Sequence, residues 1–130
     1  MHKIGPLLSI ALLAACAPSA PARIEAAQKA CAQGAAHVEV SDSGRVVRYL
    51  GIHRSRSGAH EGFVVLFKNG AVSKIEDNVD ITGPIPVTQN DAVALQGQYE
   101  CNDGVIHWTH HDPSGRHQPG YIEVGGRRYE

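Results

Sequence analysis

At 130 residues, with 12 Lys and Arg against 13 Asp and Glu, the chain is near neutral, and only 5% of it is aromatic. So even a balance leaves no basic footprint for nucleic acid or an anionic bilayer surface. The length accommodates one hydrophobic core and excludes a second domain.

The N-terminus reads as an address and not as part of a fold. A short segment with Lys3 precedes an almost wholly apolar run over residues 4–15 that ends in small residues before Cys16. That is the pattern of a secretory signal, and the run is too short for a spanning helix, which needs about 20 residues. Leu13-Ala14-Ala15-Cys16 resembles the lipobox of bacterial lipoproteins. The resemblance implies cleavage before Cys16 and a lipid on it; Ala17 in the next position implies the outer membrane. A plain signal peptide with a coincidental cysteine is the alternative. The expected organisation is a signal over 1–15, a lipid-anchored tether over 16–22 carrying two prolines, and one domain over 23–130.

Of the three cysteines, assigning Cys16 to the lipid leaves Cys31 and Cys101 as a pair in an oxidising compartment. A disulfide is expected, with two buried thiols as the alternative. The absence of any C-x-x-C leaves a redox centre or a zinc ribbon without support.

Residues 21–33, PARIEAAQKACAQ, start at Pro21 and stop before Gly34, with Ile24, Ala27 and Cys31 spaced for one helical face. A short helix that docks on a sheet is expected. From residue 38 the signals turn to β. Val38 and Val40 alternate with polar residues, 44–53 and 60–68 are rich in aliphatic residues, and Asn69-Gly70 marks a hairpin into 71–77. After an irregular stretch, Val93, Leu95, Gly97 and Tyr99 alternate with polar or small residues, as in a half-buried strand. The turn Asn102-Asp103-Gly104 leads into 105–111, and Gly125-Gly126 joins a last hairpin. The predicted fold is mainly β: five principal strands and an N-terminal helix, resembling a small OB-like β-barrel. An SH3-like barrel or an open sandwich gives nearly the same string, and closure is preferred because it disposes of sheet edges.

Residues 104–117, GVIHWTHHDPSGRH, followed by GYIEVGGRRY over 120–129, resemble a bacterial family of small secreted proteins known only as a domain of unknown function, number three-four-six-five. His60-Glu61-Gly62-Phe63 and Asn78-Val79-Asp80-Ile81 match it more weakly, and the resemblance covers residues 44–130. Two positions depart from the family pattern: Asp77 replaces a histidine, and Gly83-Pro84 stands where an arginine is usual. The resemblance implies no activity.

Four of the eight histidines lie in 107–117. If 105–111 is a strand, His107 and His111 share a face but stand about 13 Å apart, too far for one ion. A metal site would have to form at the strand end, where the turn 112–115 brings His117 toward His110 or His111. Asp112 adds an oxygen ligand, and His60 joins if its strand lies alongside. Such a set suits zinc or copper. A plainer reading packs Trp108 in the core with Ile106, leaves the histidines on an exposed face and lets Asp112 order the turn. A third makes His60 or His111 a general base paired with Asp80, although no nucleophile motif accompanies it.

A second cluster, Arg45, Arg48, Arg54 and Arg56 with His53, contains no acid. Arg54 and Arg56, placed on the loop after the first strand, form an anion-binding candidate against the alternative of a solvated loop. The function expected is that of a periplasm-facing, lipid-anchored outer-membrane protein. It would act as a small binding or interaction module for an envelope protein or small ligand. The alternative is a metal-dependent hydrolase centred on 107–117. Nucleic acid is not an expected partner, because no basic strip interleaved with aromatics exists.

Overall fold

The computed structural model describes residues 10–11 and 20–130, so Cys16, the expected lipidation position, lies outside the described residues. The order of elements is α1 (Ile24–Ala32), β1 (His37–Ser55), β2 (Gly58–Phe67), β3 (Val72–Asn78), α2 (Val79–Thr82), β4 (Ala92–Glu100), β5 (Ile106–His107), β6 (Tyr121–Val124) and β7 (Arg127–Tyr129). No helix among the described residues is long and apolar enough to cross a membrane.

All seven strands belong to one sheet, and five of them close a ring in the order β1-β2-β3-β5-β4, with β4 returning to β1. Every pairing in the ring is antiparallel except β3 with β5. The β6–β7 hairpin extends the sheet from the edge of β4 that β5 leaves free. The prediction of a mainly β chain with a short helix holds at this level. The helix is shorter than expected, because the residues before it are used differently: Ala22 makes a parallel bridge to Val40 instead of a first turn.

β1 closes the ring by serving two partners. Its first half pairs with β4 and its second with β2, and Gly44 is in register with both Val93 and Phe67. A side chain at Gly44 would meet the Leu66 carbonyl and the Val65 side chain, so glycine lets the strand bend sharply where the partners change. The sequence suggested two separate β patches here, and the structure has one continuous strand bent at a polar, small-residue centre.

Inside the ring, Val40, Val46, Phe63, Val65, Ile75, Leu95, Ile106 and Ile122 make one buried cluster. α1 covers it with Ile24 and Ala27, and the β3–β4 connection adds Ile85 and Val87. Asp42 on β1 fixes the start of α1 by accepting from the Ile24 N–H at 3.0 Å and from the Arg23 guanidinium at 3.0 Å. The far end of the helix is tied by a Cys31–Cys101 disulfide, Cα–Cα 5.4 Å, to the turn after β4. Buried Glu61 fastens the β3–β4 connection: it accepts from the Ile85 N–H at 2.7 Å and from the Tyr49 hydroxyl at 2.8 Å.

The strand expected over 105–111 ends at His107. Trp108 adopts a φ of 56°, in the left-handed region, which breaks the extended run and turns the chain off the sheet. Alternation of faces therefore does not extend beyond His107.

Candidate functional site

The 108–120 segment is a built loop. Asp112 organises it by accepting from the Ser114 N–H and hydroxyl and from the Arg116 and His117 N–H groups, at 2.8–3.0 Å. These bonds, the Ser114 hydroxyl foremost, hold the Asp112 carboxyl well below the usual carboxylate range. Its oxygens are occupied by the turn, the role that the plainer sequence reading gave it, whereas the metal reading made it an oxygen ligand.

The loop closes back on the sheet through His117. Its imidazole stacks on Trp108, and its ring nitrogens face Gln118 O at 2.7 Å, Gln98 Oε1 at 2.8 Å and Glu39 Oε1 at 3.2 Å. The turn does bring His117 back, and seats it on Trp108, Gln98 and Glu39. Trp108 is half-buried against His117 and absent from the core cluster, which corrects the expectation that it packs inside with Ile106.

The remaining histidines divide. His111 is exposed, whereas His110 is buried, and its Nδ1–H donates to the His111 carbonyl at 2.6 Å, leaving Nε2 free to accept. The expectation of uniformly exposed histidines fails at His110, because the turn at Trp108 carries it inward. His60, His107 and His110 line one cavity of about 420 Å³, together with Trp108 and the carboxylates Glu76, Glu100 and Asp112. The cavity lies over β2, β3 and β5 and reaches Ser57 in the turn after β1. β3 separates β2 from β5, so His60 joins the set through the cavity and not by strand pairing. Its Nδ1 is buried with no hydrogen-bond partner.

Asp77 is fully buried on β3, beside Asn78 at the cavity's edge. It accepts from the Thr109 hydroxyl at 2.7 Å and contacts the Thr82 hydroxyl at 2.5 Å. Burial pushes its carboxyl up; the two hydroxyls, His110 and His60 pull the other way. Asp80 serves the backbone: it accepts from the Ala59 N–H at 3.0 Å and so holds the start of β2.

Among the described residues no three His, Cys, Asp or Glu side chains converge as a metal would require. Arg56 sits in the turn after β1 as expected, but Arg54 lies within β1, paired with Ala59, because the strand runs on to Ser55 instead of giving way to a loop at 54; both arginines are exposed. A larger groove of about 590 Å³ runs between β1, β2, β4 and the β6–β7 hairpin, lined by Gly44, Leu66, Val93 and Gly125 among others, and holds no histidine. The chemistry-bearing side chains therefore gather in the smaller cavity. Sequence reasoning passed over Glu76, Glu100 and Glu39, and set His107 aside as too far from His111 to share an ion. For Glu76 a signal was present, since alternation along 71–77 sets Glu76 on the face opposite Ile75 and Asp77.

Residues 9–130 match the family described as Protein of unknown function (DUF3465). The chain belongs to this family. The match extends well upstream of residue 44, where the sequence resemblance began. No curated protein and no solved structure matches the chain.

Proposed function

We propose that this member of the DUF3465 family is a lipid-anchored, periplasm-facing protein of the outer membrane, whose strand ring is a small OB-like barrel acting as a binding module. The order β1-β2-β3-β5-β4-β1 with a single parallel pairing supports the barrel reading. Leu13-Ala14-Ala15-Cys16 supports the anchor. The observation that carries the function is the position of the cavity: it opens over β2 and β3 beside the turn after β1, where barrels of this kind receive ligands. At about 420 Å³ it falls within the size range of small-molecule sites.

A binding module recognises without consuming. Thermal-shift screening of the full-length protein against a collection of small metabolites, with and without chelator, tests this. A compound that raises the melting temperature, does so equally in chelator and is recovered unchanged supports the reading. Chelator-sensitive turnover of an ester or phosphoester would overturn it in favour of metal-dependent hydrolysis.

A further inference from the structure

We propose that the cavity bordered by Trp108, Glu76 and Glu100 takes a small organic cation, an ammonium or guanidinium group on a short carbon skeleton. The inference rests on the binding-module reading and names its ligand class. Among the described residues no lysine or arginine lines the cavity, while three carboxylates do. Lys74 reaches Glu76 from outside the lining at 2.5 Å and offsets part of that charge, and His53 lies 3.7 Å from the same carboxylate. Glu100 has no cationic partner within the cavity; it accepts from the Gln98 amide at 2.6 Å. An anion entering this space would meet a net negative wall.

The hydrogen-bonding character of the walls points the same way. As a neutral ring, His110 donates its N–H to the His111 carbonyl, and its other ring nitrogen is then an acceptor. A ligand that donates N–H satisfies that nitrogen, and a ligand rich in acceptors does not. The Nδ1 of His60 is buried with nothing to pair with among the described residues and takes either role according to its tautomer. The indole supplies a surface for the carbon skeleton and an attractive π face for positive charge; His117 covers only one of its faces.

A metal ion is the other cationic class, and the geometry disfavours it. A transition metal draws its ligands to about 2.0–2.3 Å from a single point. Here no three such side chains converge among the described residues, and the acidic and imidazole groups are spread around a cavity large enough for several heavy atoms. Distributed contacts suit a molecule with charge and skeleton apart from each other.

Trp108 is the sole tryptophan, so its emission reports on the site directly. Full-length, disulfide-bonded protein is titrated with agmatine, glutarate, glucose and zinc chloride, followed by fluorescence and calorimetry. The expected result is saturable binding of agmatine alone, unchanged by chelator. Binding should weaken roughly tenfold in Glu100→Gln and in Glu76→Gln, and not in the distant Glu123→Gln. Melting curves confirm that the variants are folded. Binding of zinc, glucose or glutarate in place of agmatine overturns the cation assignment and leaves the binding module standing. Agmatine binding that survives both cavity substitutions also overturns it, as does the absence of binding by agmatine. If the metabolite screen is empty as well, the binding-module reading falls with it.

Discussion

The imidazole of His117 lies nearly parallel to the indole of Trp108, with ring centroids 4.2 Å apart and an interplanar angle of 11°. That contact joins the far end of the 108–120 loop to its beginning, and both ring nitrogens of His117 are engaged as well. His117→Ala should cost about 1–2 kcal/mol by urea denaturation, from the lost stack and bonds, and shift the Trp108 emission to the red. The Oε2 atom of neighbouring Glu39 is buried without a partner, and burial raises the Glu39 carboxyl while His117 pulls it down. His117→Phe should retain the emission wavelength by keeping the stack, yet recover only part of the stability. Equal emission from wild type and His117→Ala would show that the stack does not hold the indole.

Asp77 makes stability depend on pH in an unusual direction. A carboxyl whose pKa rises on folding binds its proton more readily in the native chain, so its contribution is fullest below about pH 4 and is lost as pH rises through the folded value. The Thr82 hydroxyl has one proton and touches both Asp77 Oδ2 and, at 2.9 Å, the Gly83 carbonyl, an arrangement that accommodates a protonated Asp77 donating to Thr82. Wild-type stability should therefore fall from about pH 4.5 upward, and Asp77→Asn should flatten that decline. Glu39 is raised too and leaves a residual slope, whereas Asp112 is held low and gives way only below about pH 4. Urea melts between about pH 4.5 and 7.5 measure the slopes; identical slopes in wild type and Asp77→Asn would refute the assignment.

Local chemistry was legible where one rule governed a segment. The alternation over 93–99 became β4 with Val93, Leu95 and Gly97 buried, and Asn69-Gly70 became the turn between β2 and β3. Asp112 ordered its turn as read. What failed were features set by distant partners. The polar centre of β1 looked like a break because nothing local records that Gly44 serves two neighbouring strands. The run 105–111 looked like a strand because no propensity predicts a left-handed tryptophan; His117, nine residues on, stacks on that indole. The cavity shares this origin, since alternation placed His107 and His110 on opposite faces and the turn at Trp108 reunited them around one space.

The Cys31–Cys101 bond closes a sequence separation of 70 and connects α1 to the β4–β5 turn. In the chain-entropy account a loop of that length is worth about 4 kcal/mol. Reduction, or Cys31→Ser with Cys101→Ser, should lower the melting temperature by roughly 15 °C. Protection of the α1 amides from hydrogen exchange should fall more than that of β2. Protein isolated without reductant should resist alkylation at both positions; full labelling would show the bond absent in the native protein.

The anchor is testable at the mature N-terminus. If Leu13-Ala14-Ala15-Cys16 directs lipidation, mass spectrometry of the native protein should find a chain beginning at an acylated Cys16, and Cys16→Ser should leave the precursor uncleaved or the protein free of the membrane. An unmodified chain that starts downstream of Cys16 would remove the anchor from the proposal while leaving the cavity untouched.

Gly120 is where the loop rejoins the sheet, and its N–H donates to the His110 carbonyl at 2.9 Å. A methyl group there would run into the carbonyl oxygens of Trp108 and Gln96 and the Thr109 backbone, none of which is a flexible side-chain end that can step aside. Relief requires moving either β4 or the chain at Trp108, and the second route is the softer one because Trp108 already sits in a strained conformation. Gly120→Ala should therefore cost about 3 kcal/mol and perturb Trp108 emission at the same time, whereas Gly115→Ala, with open space around it but a positive φ of 69°, should cost about 1 kcal/mol and leave the emission unchanged. Denaturation of both variants followed by fluorescence and by circular dichroism separates the effects. Were Gly120→Ala as mild as Gly115→Ala, the close approach of the loop to β4 would have to be abandoned, and with it the fixed wall that Trp108 gives the cavity.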